Sequence, residues 1–512
     1  PYPIPSYSEG GYDLLVTSWN LPLMDWNPEG LFETESTVPF GDNFYQYSSQ
    51  DFDLAFDNYM QSYDPVARKS YAEEMQEILY NDLPQITIFY DQLCYPHDLN
   101  FDTNSWDEIL WGNDDQSMEN WSIPAQTEFH YAMPYGFSDF HIYTYSSSLA
   151  GRWLHQIYDG LAARNPLSPY NRAYTPNLAV LYTSLDGLTY NVLMNPIAKF
   201  ADGHVLNASD VEYSYQLIID SDLDAEDLWY WDNHVAVDSV TIIDEFEVDI
   251  TFKTAYAFQD SILRLPIMPK HIWEGVSPQN HESQAGTWAS TNPSKIMGAG
   301  PYYLYDYDTD TTLFIHLKRN DYYDDWSGVT PYFEDVYFRL YSSAQTALSA
   351  IVSGTIDMAD GFYDFETNDL PGTVGYSLIG DGTLQELAIN NNHPYLGTGE
   401  LCPIAGAESA KHVRKAISHI IPRQQIIDNI MNGSGRLGVT ACPSISYGFD
   451  ESLEPHEFSI DLAKAEMEAA GFCYTDCTTT TEGFSLSLPL IFGITIFTTC
   501  MILLINKKKR KK

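Results

Sequence analysis

The stretch from Pro176 to Tyr215, PNLAVLYTSLDGLTYNVLMNPIAKFADGHVLNASDVEYSY, limits most narrowly what this chain folds into. Pro176, Leu178 and Ala179 open a short apolar segment. Asp186-Gly187 stands between two runs that alternate apolar and polar residues, the pattern of two strands joined by a tight turn. A second turn, Asp202-Gly203, follows Phe200. Asn207 to Asp210 then supply side-chain oxygens able to cap a helix starting near Val211. Taken alone, this is a hairpin followed by a helix, an order found in many α/β proteins.

The succession of parts says more. P-x-L-A, then D-G, then an apolar strand ending in F-x-D-G, then D-V-x-Y-S at a helix start resembles the family 5 extracellular solute-binding proteins. These are the oligopeptide- and dipeptide-binding components of ABC importers. Met194 departs from the pattern, since the family usually has Arg after the strand Leu, here Leu193. Further blocks follow in the family's order: Ile157-Tyr158-Asp159-Gly160-Leu161 before it, then Pro269 to Trp273, Gly298 to Tyr302, Leu317 to Tyr322 and Ala347 to Met358. Val413 to Ile417 lies on an amphipathic helix, and Ala463 to Phe472 closes this match.

The first residues match the end of the same family. Gly11 to Trp19 reads as a strand, Tyr47, Ser48, Phe52 and Asp53 as a helix start, and Asp64, Pro65 and Arg68 as the late D-P-x-x-R helix, followed by a strand from Pro84 to Tyr90. The resemblance implies an α/β, two-lobed periplasmic-binding-protein-like fold of type II with an extra subdomain, joined to one C-terminal transmembrane helix. Residues 1–97 are expected to form part of the second lobe and 98–128 a connector. Residues 129–384 are the first lobe with the extra subdomain, and 385–472 the rest of the second lobe. The two matches do not overlap, as in a circular permutant or a piece of a tandem array. Permutation is physically easy, because domain termini often lie close together at the surface.

Composition narrows the function. Against 71 Asp and Glu the chain has 25 Lys and Arg, a net charge of −46. Nucleic acid is excluded as a partner, since neutralising phosphates takes Lys and Arg. Such an acidic surface suits solubility in a salty exterior, where repulsion is screened. Six cysteines in 512 residues make no disulfide scaffold. Cys402 with Cys442, or Cys473 with Cys477, are candidate disulfides, and no Cys/His spacing points to zinc. The glycines of Gly298 to Tyr302 are not followed by Lys-Ser/Thr, so they form no phosphate loop. No cofactor is expected.

After a Thr-rich linker (473–483), Phe484 to Ile505 is an uncharged, mostly apolar run of 22 residues. That suffices to span a bilayer core of roughly 30 Å as a helix. The basic tail 506–512 contains Lys507 to Lys512, which places it in the cytoplasm and everything upstream outside. The expectation is a single-pass receptor at the cell membrane.

A solute receptor needs a cleft rather than a reaction centre. Trp19, Asp25 and Trp26 stand where the first strand ends and are the candidate ligand-binding residues. By resemblance, an Asp shortly after this Trp pairs with a peptide's ammonium group. Asp25 takes that role, at a spacing two residues longer than usual. The expected partners are an oligopeptide ligand, or alternatively an oligosaccharide stacked on Tyr and Trp faces, and the permease subunits of an ABC transporter. A surface-anchored glycoside hydrolase is the enzymatic rival. With so many carboxylates, paired ones carry little information, and no G-x-S-x-G, H-E-x-x-H or S-x-x-K motif occurs in a fitting context.

Overall fold

Two long strands run from one hydrophobic core into another, and the rest of the chain is arranged about them. In the computed structural model, residues 11–21, 26–102, 118–164, 174–219, 237–255, 257–308 and 313–473 are described. The strands are β1 (Leu14–Asn20), β2 (Gln85–His97) and β3 (Glu128–Met133), followed by the short pair β4 (Ala162–Arg164) and β5 (Tyr174–Pro176). β6 (Ala179–Thr183), β7 (Thr189–Met194), β8 (Val237–Asp244) and β9 (Glu247–Phe252) come next. Then follow β10 (Tyr302–Asp308), β11 (Phe314–Arg319), β12 (Asp335–Leu340), β13 (Met358–Ala359), β14 (Gly375–Ile389) and β15 (Gly435–Leu437).

Nine strands form one sheet in the order β1-β14-β2-β13-β3-β12-β11-β10, with β15 also on β2. A separate four-stranded sheet has the order β6-β7-β9-β8. The Asp186-Gly187 turn joins β6 to β7 as expected, with Gly187 at φ +65°. The cap also forms: the Asn207 side chain accepts from Ser209 N at 2.9 Å, and the helix runs from Ala208 to Ile219.

β2 is longer than the Pro84–Tyr90 reading. Its first half pairs with β15 and with Leu384–Ala388 of β14; its second half pairs with Gly375–Gly380 of β14 and with β13. One lobe surrounds the first half. Strand alternation sends Leu384, Ala388 and Tyr90 to one face and Leu387, Ile389, Ile86 and Ile88 to the other. A register shift between Gln385 and Glu386 lets Ile88 and Phe89 face the same core. The first face is covered by residues 26–59 and by two helices, α1 (Gln50–Met60) and α2 (Pro65–Asp82). The second is covered by the helices Ala407–His419 and Arg423–Asn429. Each of α1 and α2 starts on a side-chain cap: Ser49 accepts from Phe52 N, and Asp64 from Val66 N with Pro65 at the first helical position.

The other lobe has the largest core, built from β3, β10–β12, the four-stranded sheet and the buried Trp121, Trp153 and Trp273. It includes a triangle of rings, His141, Trp273 and His281, with centroids 4.9–5.0 Å apart. Residues 11–97 are thus no isolated module: β1 and β2 flank β14, and both faces mix residues from the two ends of the chain. The 384/385 boundary falls inside β14, beside a lapse in its pairing with β2 between Gly380 and Leu384.

The Cys402–Cys442 disulfide is not formed. Both are buried thiols, and they belong to cores on opposite faces of the sheet, so the sheet separates them. Cys473 is disulfide-bonded. Among the described residues no helix is long and apolar enough to cross a membrane. The apolar run Phe484–Ile505 and its basic tail lie outside the described residues, as do residues 103–117 of the connector between 98 and 128.

Candidate functional site

Where β2 and β14 cross from lobe to lobe, the turn between α1 and α2 meets the other lobe. Arg68, in the first turn of α2, is buried there. Its guanidinium lies 3.2 Å from Asp260 Oδ2 and donates to Ala257 O at 2.7 Å, both residues belonging to the opposite lobe. It also sits 5.4 Å over the Phe258 ring, and Tyr59 meets that ring edge-on at 5.5 Å. Tyr63 packs so closely on Gly187 that a Cβ there would overlap its ring. Burial raises the Tyr182 and Tyr190 phenols, and the Asp260 charge raises them further.

Trp19 pairs in register with Leu384 near the crossing. Its ring is half-buried and stacks on Phe44, centroids 5.8 Å apart and planes 20° from parallel. Its Nε1 donates to Tyr45 Oη at 2.9 Å and to Glu386 Oε1 at 3.2 Å, and Tyr45 Oη donates to the same carboxylate oxygen at 2.7 Å. Glu386 is fully buried; burial pushes its carboxyl up to about 7, against the lowering effect of the Tyr45 and Trp19 bonds. Its second oxygen has no partner among the described residues.

Trp26 is fully buried in the same core, and Tyr59 Oη donates to its carbonyl. Its indole nitrogen has no hydrogen-bond partner among the described residues. Asp25 lies outside the described residues. Trp19 and Trp26 thus share one core beneath the crossing, Trp19 engaged with Glu386 and Trp26 sealed beneath Tyr59. Sequence reasoning noted Arg68 only as part of a motif and missed Asp260, 192 residues away. Glu386 had one signal, a single carboxylate inside the apolar run LQELAI.

Across the crossing, a second buried ion pair supports β2. Arg152 Nε lies 3.1 Å from Asp360 Oδ2, which also accepts from Tyr131 Oη at 2.7 Å. Arg152 further donates to Tyr95 Oη, on β2, at 3.3 Å.

Residues 173–494 match the family described as bacterial extracellular solute-binding proteins, family 5 Middle, which is well over half of the chain. The chain belongs to this family. It is a family of binding proteins rather than enzymes, with the two-lobed α/β architecture seen here. The oligopeptide-binding protein AppA of Bacillus subtilis is 23% identical over 297 residues, covering 57% of this chain and 50% of the relative. The nickel-binding periplasmic protein of Escherichia coli is 25% identical over 308 residues, covering 58% and 53%. The oligopeptide-binding protein OppA of Bacillus subtilis is 21% identical over 336 residues, covering 63% and 57%. The chain therefore spans about half the length of the curated relatives it matches. Among solved structures, that of Bacillus subtilis AppA with a nonapeptide superposes with a TM-score of 0.43 at 18% identity, covering 70% of this chain and 67% of that one. The murein tripeptide-binding protein MppA, in its unliganded open form, gives 0.49 at 18% identity, covering 68% and 66%.

Proposed function

We propose that this family 5 protein captures an oligopeptide between its lobes and delivers it to the permease subunits of an ABC transporter. The observation that carries the reading is the crossing of β2 and β14. Two lobes joined by a pair of strands can close on a solute and bury it, the geometry of hinge-closing receptors. Relatives named as oligopeptide-binding support the class of solute. A nickel-binding relative offers another class, but among the described residues no group of three His, Cys, Asp or Glu side chains is gathered to hold a metal ion.

Trp19 and Asp25 are proposed to border the solute, because the strand carrying Trp19 ends at the crossing, whereas Trp26 lies buried in the core on which Trp19 packs. Membrane attachment through Phe484–Ile505, with the basic tail inside the cell, belongs to the same proposal and rests on the sequence alone. Circular permutation belongs to the proposal too, and the sheet that residues 11–97 share with 375–472 supports it.

The test is a native mass-spectrometric screen of the detergent-solubilised full chain against peptides of two to nine residues and a panel of oligosaccharides. The expected outcome is one retained peptide per chain, released unchanged. Retention of oligosaccharides alone would transfer the reading to the sugar class, and release of cleaved products would replace the receptor with an enzyme.

A further inference from the structure

Covalently, β2 and β14 alone link the lobes among the described residues, and their mutual pairing lapses between Gly380 and Leu384, with Gly382 at φ +82°. A molecule built this way bends at that level unless contacts away from the strands hold the lobes at one angle. Beside the crossing, Thr367 Oγ1 donates to Asn432 O of the other lobe at 2.7 Å. A more extensive contact is the one at Arg68. Ala257 and Phe258 belong by chain position to the lobe of the four-stranded sheet, yet both are buried in the core beneath α1 and α2 of the other. Two residues on, Asp260 meets Arg68 at the rim of that insertion.

We propose that Phe258, Asp260 and Arg68 form a releasable latch that holds the two lobes closed. Every partner in it belongs to the chain, so it acts whether or not a solute lies between the lobes. The apolar ring drives closure, since opening returns it to water. The ion pair works differently. Its attraction is largely offset by the dehydration of both charges, and opening lets both rehydrate, so it sets the angle at which the lobes meet without welding them. A buried pair inside one rigid body would have no such release. Because the closed arrangement is held independently of any solute, the latch sets the fraction of receptor already in that arrangement, and hence the apparent affinity.

Hydrogen exchange of the full chain in detergent micelles tests this, read by mass spectrometry without added solute. In Asp260→Asn, amides of Ala257–Ser261 and of Tyr59–Arg68 are expected to exchange roughly ten- to a hundredfold faster, the range of a local opening. Those of Leu263–Ile267 and of β3 should keep their wild-type rates, and the thermal midpoint should fall by no more than the few degrees that so local an opening implies. The charge-exchanged double variant, Arg68→Asp with Asp260→Arg, should restore slow exchange. If exchange rises alike throughout both lobes with a lowered midpoint, or does not change at the seam, the contact is a static strut and the proposal fails. Should Asp260→Asn not fold, Phe258→Ala, which strands no charge, is read by the same criteria. The measurement needs no solute, so it stands apart from the peptide reading.

Discussion

Glu386 shows how much one side chain can say about conditions. Its folded pKa of about 7 lies above the roughly 4.3 of an unfolded Glu. Between those values the unfolded chain holds fewer protons than the folded one, so stability falls as pH rises through that window. The full effect is on the order of 3 kcal/mol. Glu386→Gln should flatten this limb, with melting temperatures of variant and wild type diverging in the variant's favour from pH 5 to pH 8. Parallel curves would mean that the carboxyl is wetter than its burial indicates. The His141–His281 pair acts in the opposite sense. Burial holds both below the ordinary imidazole value, His141 well below, where the neighbouring His281 lowers it further. The unfolded chain then takes up protons first, so stability is lost as pH falls below about 6.5. His281→Gln is expected to shallow the acid limb in the same melting series.

At the scale of elements, the caps are the plainest link from sequence to structure. Asp64→Ala should cost about 1 kcal/mol in urea unfolding, the usual worth of an N-cap. Ser459 caps the helix Ile460–Ala469, so Ser459→Ala should cost a similar amount. Only the first change lies beside Arg68, so only it should also quicken exchange at the seam. The Asn207–Asp210 cap, the Asp64-Pro65 helix start, the Asp-Gly hairpin and the amphipathic helix at Val413–Ile417 were legible because their signals lie within a few residues of one another. β2 was read short because Asp91, Gln92 and Pro96 break its apolar run just where it leaves one core for the next. Arg68 was legible as part of a motif, but not as half of an ion pair, because its partner is brought to it only by the folding of both lobes. Trp19 was legible as the end of a strand; the carboxylate beneath it was not, since its one local signal, a lone acid in LQELAI, does not say which face of the strand it takes.

On the scale of the whole molecule, the shared sheet makes the first hundred residues indispensable. A fragment covering 98–473 would leave β14 without β1 and β2, exposing two strand edges and the core face that α1 and α2 cover. It is expected to aggregate, whereas a chain ending at residue 483 keeps every described core and should remain soluble with an unchanged melting temperature. Size-exclusion chromatography of the two separates the cases; a monodisperse 98–473 fragment would mean that the lobes fold independently.

Tyr12 and Phe472 both pack into the lobe that carries α2. Whatever fastens this protein at either end therefore grips the same half. In the receptor proposed above, that half would be the fixed jaw of a clamp and the other the swinging one, so a permease meeting the clamp would find one surface always presented at the same height and a second whose position reports whether the jaws have shut.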